Sequence, residues 1–283
     1  MKTKLTVLAF VLSCAMVPAS AFDFNFGDIG KAIETLSKVK DATTDITEPQ
    51  EIELGAGIAS NLLGAAPLWK KPGVQRYVNE VGLWLALQTE RPELPWHFGV
   101  LDDSNINAFA TPGGNIFITR GLLQRMNSES ELAGVLAHEI SHVLRKHHLE
   151  AIKKGARTSL LADVATQAVD SKGRNPAIAK LAGAGTELFA RGLDKEDEFE
   201  ADRMGVVIAA RAGYDPYGLP AVLQILESIN PQDSDLALMF KTHPTPADRL
   251  NLLDSLMSNG FDGYDTRPNL EARFKAAIGA VKK

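Results

Sequence analysis

The chain has 283 residues, of which 45% are hydrophobic and 23% are charged, and its 30 basic and 35 acidic side chains give a net charge of −5. These fractions are typical of a folded globular protein and exclude a disordered, collagen-like or low-complexity chain. The mildly acidic balance offers no electrostatic footprint for nucleic acid, and a single cysteine excludes an intramolecular disulfide and an all-thiolate metal site. A transition metal bound here must therefore be held by histidine and carboxylate side chains.

The first 21 residues have the pattern of a secretory signal peptide. Two lysines precede an apolar stretch at residues 5–17, and a small-x-small cleavage pattern ends at Ala21. This stretch is shorter than the roughly 20 apolar residues that span a bilayer, and no other segment is a transmembrane candidate. We predict cleavage after Ala21 and export to the periplasm of a Gram-negative cell. Lipidation at Cys14, which would make the protein a lipoprotein, is the alternative.

Turn residues and hydrophobic periodicity predict an α+β fold that is mostly helical with a small β-sheet. An N-terminal helical extension is expected at 22–70, with helices at 29–39 and 52–63. The main domain is expected at 71–258 and a C-terminal tail or helix at 259–283. Within the main domain, Pro72 opens a helix at 73–88. Strands are predicted at 96–101, 107–110 and 115–119.

Two local signals set the middle of the chain. Pro112-Gly113-Gly114 predicts the turn of a hairpin between the second and third strands. Ser128 followed by Glu131 has the capping-box pattern and predicts the start of a long helix that runs to about His148. Further helices follow, with breaks at 173–176, 213–216 and 243–246.

The long helix carries the H-E-x-x-H pattern His138-Glu139-Ile140-Ser141-His142. Positions i and i+4 lie on one helix face, so both imidazoles can reach one tetrahedral zinc ion, with Glu139 placed beside an activated water. Apolar neighbours turn the motif towards the core, where two histidines and a glutamate need a partner that a metal supplies. An amphipathic helix with surface histidines is the alternative interpretation.

A catalytic zinc site needs a third protein ligand. No H-x-x-G-x-x-H extension follows His142, which disfavours a three-histidine site. In an acidic run further along, Glu198 and Asp202 are four residues apart and share a helix face with Ala201 and Gly205, small residues that permit close helix approach. One carboxylate for the metal and one to orient a ligand imidazole is a common construction. A solvated helix start is the alternative.

Other polar residues near these motifs are predicted to be peripheral. Glu196 and Glu200 share a different face of the acidic helix, and Glu200 is expected to point to solvent or to the far side. His147 and His148 lie off the ligand face and are expected to interact with the dipole at the helix end.

Four motifs together resemble one family. They are His138-Glu-Ile-Ser-His142, Glu198-Phe-Glu-Ala-Asp202, Asn107-Ala-Phe-Ala110 with Pro112-Gly-Gly114, and His243-Pro244 followed by Arg249. This set resembles the HtpX/CAAX-prenyl-protease-like family of gluzincin zinc metallopeptidases, and the soluble exported branch is most similar. The resemblance covers about residues 73–257. Because the family's membrane-spanning members have transmembrane helices that this sequence lacks, a prenyl-protein substrate is not expected.

The resemblance implies a zincin-type fold around an active-site helix, with one zinc ion per chain. The implied zinc ligands are His138, His142 and Glu198, with Asp202 behind them. Glu139 would be the general base, and His243 a donor or a switchable fourth ligand, with a turn residue before Pro244 as the alternative. Arg249 is expected to pair with an acidic neighbour such as Asp202.

The resemblance also gives the second strand a role. In this class an edge strand beside the zinc receives the substrate polypeptide as an added strand, held by backbone hydrogen bonds. The residues concerned are Asn107, Ala108, Phe109 and Ala110. An ordinary hairpin edge accounts for the same residues and remains the alternative.

The predicted function is an exported zinc metalloendopeptidase in envelope protein quality control. Its expected partners are misfolded or unassembled envelope polypeptides, with association at the outer membrane as a further expectation, and no nucleic acid. One alternative is a zinc-stabilised, chaperone-like module for outer-membrane proteins with secondary proteolysis, and another is a zinc hydrolase of a non-peptide amide. The complete set of metal ligands plus Glu139 favours the peptidase, because a pure binder has no need of Glu139.

Overall fold

The computed structural model describes residues 46–155, 192–230, 239–258, 260–261, 264 and 267–279. The predicted cleavage site after Ala21, Cys14 and the predicted helix at 29–39 lie outside these residues. The described part is mostly helical around one small sheet, which confirms the α+β prediction. None of the helices within it is long and apolar enough to cross a membrane.

The sheet has three strands, and their order is β1-β3-β2. The strands are β1 (His97–Leu101), β2 (Ala108–Thr111) and β3 (Asn115–Thr119). β1 runs parallel to β3, whereas β2 and β3 form the predicted antiparallel hairpin. The hairpin turns at Gly113 and Gly114, whose φ angles of 76° and 104° lie in the left-handed region that glycine tolerates. This order leaves β2 at an edge of the described sheet.

The helices surround the sheet and one another. They are α1 (Glu48–Ala65), α2 (Pro72–Ala86), α3 (Arg120–Leu123), α4 (Glu129–Leu144), α5 (Lys195–Arg211), α6 (Gly218–Glu227), α7 (Met239–Thr242), α8 (Pro246–Met257) and α9 (Glu271–Ile278). A further helical segment at 147–155 follows α4. All 16 residues of α4 are buried, so this helix forms the centre of the domain.

Helix α4 begins where the sequence predicts, but it ends earlier than predicted. The Ser128 side chain accepts a hydrogen bond from the Glu131 backbone N–H, as the capping signal predicts, while the Glu131 carboxylate accepts from the backbone of Asn127. The helix ends at Leu144 rather than near His148. Lys146 has a φ of 59°, so the backbone turns sharply before the segment at 147–155 begins.

Helix α5 packs closely against α4, and a small residue makes this contact possible. A Cβ atom on Gly205 would lie 2.9 Å from the backbone nitrogen and 3.0 Å from the Cα of His138. Ala201 on the same face is fully buried. The prediction that Ala201 and Gly205 allow close approach to the helix bearing His138 is therefore confirmed.

The first and last described helices are held to the rest of the fold in different ways. On α1, the buried Glu51 carboxylate accepts hydrogen bonds from Arg91 at 3.1 Å and from the backbone of Gly113 in the hairpin turn at 3.3 Å. On α9, Phe274 and Ile278 are fully buried in the main core. The terminal helices thus brace the hairpin and the core from opposite ends of the described chain.

Glu129, the first residue of α4, is the point at which α9 meets the centre of the domain. Its carboxylate is fully buried and pairs with Arg273 of α9. It also accepts hydrogen bonds from the hydroxyls of Tyr77 at 2.7 Å and Tyr214 at 2.8 Å. Because a buried charge needs such partners, this set fixes the N-terminus of the helix that carries His138.

Candidate metal centre and active site

Three predicted ligands meet at one point between α4 and α5. His138 Nε2 lies 3.1 Å from His142 Nε2 and 3.6 Å from Glu198 Oε2, and His142 Nε2 lies 3.6 Å from Glu198 Oε1. Ligand atoms about 2.0–2.2 Å from a tetrahedral metal are about 3.3–3.6 Å apart. The three separations therefore fit a shared metal ion.

The polarity of these groups also fits a cation. Glu198 is fully buried, and its Oε1 atom has no hydrogen-bond partner among the residues that the structure describes. Burial on its own would raise the pKa of Glu198, but the neighbouring charge and hydrogen bond of His243 hold it at about 2. Burial lowers the pKa of His142, so its imidazole is neutral. A buried carboxylate beside a neutral imidazole is the donor set that a divalent transition metal prefers.

Behind His138 stands the second predicted carboxylate. Asp202 Oδ1 lies 2.9 Å from His138 Nδ1, which directs the other ring nitrogen of His138 towards the centre. Arg249 donates to both oxygens of Asp202, from Nε at 2.8 Å and from Nη2 at 2.5 Å. Although burial opposes ionisation, Arg249 keeps the pKa of Asp202 below its ordinary value. The expected pairing of Arg249 with Asp202 is present.

His142 contacts His147, which in turn contacts Glu200, and both of these residues were predicted to be peripheral. His147 is buried, and its Nδ1 lies 3.0 Å from Nδ1 of His142, because the chain turns back after Leu144. Glu200, expected to point away, lies 3.3 Å from His147 Nε2 through its Oε2 atom. The prediction that His147 sits at a helix end on the dipole is wrong, since the helix stops before it.

His148 is also close to the centre. Its ring centroid lies 5.3 Å from that of His142, and burial lowers its pKa to about 4. It therefore presents a neutral ring to the cleft beside the candidate ligands. Two neighbouring histidines after a motif were the only signal in the sequence that could have indicated this arrangement.

His243 approaches the same centre from the segment after α7. Its Nδ1 atom is 2.6 Å from Glu198 Oε2, and together with His138 and Glu198 it forms a second close set of candidate ligand atoms. A separation of 2.6 Å is a hydrogen bond rather than the spacing of two ligands on one ion. We therefore regard His138, His142 and Glu198 as the better ligand set, with His243 hydrogen-bonded to Glu198.

Glu139 is the residue that the sequence predicts to be the general base. It is buried, and it lines the cleft together with His142, Glu198 and His243. Burial raises the pKa of Glu139 above that of a free carboxyl group, although the nearby charge of His138 opposes the rise. A carboxyl group with a raised pKa can both take and return a proton near neutral pH.

Residues of the predicted substrate strand also line the cleft. Asn107, Ala108 and Phe109 line it, although Asn107 precedes β2 and the strand extends to Thr111. The Asn107 Oδ1 atom accepts from the backbone of Ala108 at 3.0 Å, which directs Nδ2 the other way. This buried Nδ2 donor lacks a hydrogen-bond partner in the described part of the chain.

A helix carrying H-E-x-x-H, with a glutamate of a second helix closing a buried ligand set, is the arrangement of the gluzincin class of metallopeptidases. Comparison with known proteins gives the same class. The model of peptidase family M48 matches residues 72–257, which is more than half of the chain. The chain belongs to peptidase family M48, and its family implies a bound metal.

Several relatives are similar over a large part of this chain. The beta-barrel assembly-enhancing protease of Escherichia coli (strain K12) is 33% identical over 206 residues, which cover 71% of this chain and 42% of the relative. The protein of the same name from Yersinia pestis is 35% identical over 71% of this chain and 43% of its own length. The mitochondrial metalloendopeptidase OMA1 of Arabidopsis thaliana is 32% identical over 56% of this chain and 31% of the relative. The chain thus spans less than half of the length of these relatives.

Proposed function

We propose that this protein is an exported zinc-dependent metalloendopeptidase. One observation carries the proposal: Nε2 of His138, Nε2 of His142 and a carboxylate oxygen of Glu198 converge at ligand spacing, with Glu139 in the adjoining cleft. Membership of a peptidase family supports the same conclusion. A zinc ion bound there would supply Lewis acidity, which activates water and polarises a peptide carbonyl group.

The side chains of the cleft have complementary tasks in this reaction. Glu139 takes one proton from the attacking water and delivers it to the leaving amine as the carbon–nitrogen bond breaks, so that the protons balance. Asp202, held by Arg249, orients the His138 ring throughout. His243 lines the same cleft and is our candidate for a donor to the developing oxyanion.

Substrate binding is assigned to the β2 edge. An extended polypeptide would add to β2 as a further strand, since the strand order leaves this edge free of a neighbouring strand in the described sheet. Asn107 Nδ2, which is buried and points away from its own backbone contact, would donate to a carbonyl group of that polypeptide. Backbone recognition of this kind implies a preference for unfolded segments over a fixed sequence.

The physiological setting is proposed from the relatives. Two of them are named for enhancing the assembly of β-barrels. We propose that this protein works in the periplasm, after removal of residues 1–21, on misfolded or unassembled envelope polypeptides, including those of the outer membrane. Its substrates would then be polypeptides whose strands still have unpaired backbone hydrogen-bonding groups.

The decisive experiment compares wild type with Glu139→Gln on an unfolded casein substrate. The variant should bind one zinc per chain and unfold at the same temperature as wild type, while peptide cleavage falls by at least about 100-fold, because the proton carrier is lost. Loss of zinc from Glu139→Gln would make Glu139 a ligand and contradict its role as a base. Wild type that binds zinc and unfolded protein without cleaving it would favour the chaperone-like module.

A further inference from the structure

We propose that His147 is a positioning residue for the candidate ligand His142, in a chain of contacts that ends at Glu200. The inference rests on the proposed zinc site and adds to it the means by which the second histidine is held. It assigns a role to two residues outside the H-E-x-x-H and Glu198–Asp202 motifs.

The contacts run in one line from the centre of the site to the surface. His142 Nδ1 lies 3.0 Å from His147 Nδ1, and the two rings stand 72° apart with centroids 5.2 Å from each other. His147 Nε2 lies 3.3 Å from Glu200 Oε2 and 3.7 Å from Asp197 Oδ1. His147 itself is only 5% exposed, whereas the side chains of Glu200 and Asp197 are partly exposed.

The hydrogen-bonding capacity of each group determines which atom donates and which accepts along the series His142, His147 and Glu200. An ionised Glu200 carboxylate only accepts, so His147 must donate from Nε2. A neutral His147 then has a lone pair on Nδ1 and accepts from His142 Nδ1–H. That tautomer of His142 leaves the lone pair on Nε2, which is the atom that faces His138 and Glu198. The chain thus selects the tautomer of His142 that can bind a metal.

The local backbone explains why His147 can reach His142 although it is five residues away. A continuous helix would place residue 147 on a different face from residue 142. Instead α4 ends at Leu144, and the positive φ of Lys146 redirects the chain. Arg145 in this turn holds the other oxygen of Glu200, with its Nε 2.9 Å from Oε1. The turn therefore places His147 beside His142, and its Arg145 holds Glu200, the acceptor for His147.

The two candidate histidine ligands are consequently supported in different ways. His138 contacts the carboxylate of Asp202 directly, and Arg249 neutralises that carboxylate inside the protein. His142 contacts a neutral imidazole, and its carboxylate lies one ring further out at the partly exposed Glu200. Replacing His147 should therefore weaken metal binding without leaving a buried charge unpaired.

The test uses two substitutions of His147 with opposite merits. His147→Phe keeps the ring volume but has no acceptor, whereas His147→Asn loses volume but can place Oδ1 near the position of Nδ1. Zinc affinity, measured by chelator competition on the whole exported protein, should fall about 10- to 100-fold in His147→Phe. It should recover at least partly in His147→Asn. A role in packing alone predicts the reverse order.

Two further measurements keep the test clear. Glu200→Ala should weaken zinc by up to about 10-fold, while Glu196→Ala, an exposed acid on the same helix, should leave it unchanged. The cobalt-loaded protein should show altered visible absorption bands in His147→Phe, because the geometry of His142 changes. The melting temperatures of the metal-free proteins report any loss of folding separately from loss of metal.

The outcomes separate this inference from the proposed function. Wild type that binds no zinc would contradict the metallopeptidase proposal itself. Wild type that binds zinc, with His147→Phe binding it equally well or His147→Asn binding it no better than His147→Phe, would overturn only the role of His147. If His147→Phe does not fold, equal zinc affinity in Glu200→Ala, Glu196→Ala and wild type would overturn it instead.

Discussion

Gly205→Ala should disturb the metal centre although residue 205 touches neither a candidate ligand atom nor the cleft. The new Cβ would lie 2.9 Å from the backbone nitrogen and 3.0 Å from the Cα of His138. Comfortable contacts of this kind are about 3.5 Å long, so α5 must move about 0.6 Å away from α4. Glu198 is two turns earlier on the same face of α5, and it would move away from His138 and His142 as well.

The magnitude follows from two opposing contributions. Overpacking costs about 1–3 kcal/mol, while alanine in place of glycine inside a helix contributes about 1 kcal/mol of stability. Gly57→Ala in α1 is the matched control, because nothing lies within 4 Å of the Cβ position there. The difference in unfolding free energy between the two variants should therefore be about 1–3 kcal/mol, with Gly57→Ala the more stable.

Thermal unfolding and casein cleavage measure the two effects together. Gly205→Ala should melt at a lower temperature than Gly57→Ala, by about 2–4 °C for each kcal/mol. Cleavage should fall about 10-fold in Gly205→Ala alone, since a displacement of about 1 Å at a site can cost about 100-fold. If Gly205→Ala were as stable and as active as Gly57→Ala, the α4–α5 distance would not control the site, and this reasoning would be refuted.

Two further predictions concern the ligands and the buried glutamate. Glu198→Ala should abolish zinc retention and cleavage, and Asp202→Ala should lower the affinity for zinc about 10- to 100-fold, whereas Glu196→Ala should keep the metal. Metal analysis after dialysis checks all three variants, and zinc kept in Glu198→Ala would refute the ligand set. Burial and Glu129 raise the pKa of Tyr77 and of Tyr214 above the ordinary value of 10.0, so the unfolded chain loses these protons first and the unfolding free energy should fall as the pH rises above about 10. Tyr77→Phe should reduce that slope by up to about 1.4 kcal/mol per pH unit in denaturant titrations, and an unchanged slope would show that Tyr77 ionises normally in the folded protein.

Short-range signals in the sequence were sufficient for the motif helix and the sheet. The cap at Ser128, the hairpin turn at Gly113 and the strand at 115–119 depend on residues a few positions apart, and each was predicted in place. The approach of His138 to His142 was also predictable, because a four-residue spacing fixes a common helix face. The small-residue face of α5 completed that argument, since only close packing brings Glu198 to His138.

The wrong predictions concern places where the backbone conformation is not indicated by the local sequence. Lys146 adopts a positive φ, a conformation usually associated with glycine or asparagine, so the end of α4 and the inward position of His147 were not predictable. The contacts of Glu51 with Gly113 and of Glu129 with Arg273 join residues 62 and 144 positions apart. Nothing in local patterning indicates such pairs, and only the folded chain reveals that these buried acids have partners.

The pairing of Glu129 with Arg273 has a consequence for the order in which the molecule is completed. The helix bearing the H-E-x-x-H motif is made before the cation that neutralises its first residue, because Arg273 lies 144 positions after Glu129 in the chain. Until that cation arrives, Glu129 is a charge that the interior cannot accept without cost, so the helix lacks a settled N-terminal anchor. A nascent or truncated chain therefore carries the whole motif without a firmly held site. We therefore expect the candidate site to be held firmly only after residue 273 has been made and α9 has packed against α4.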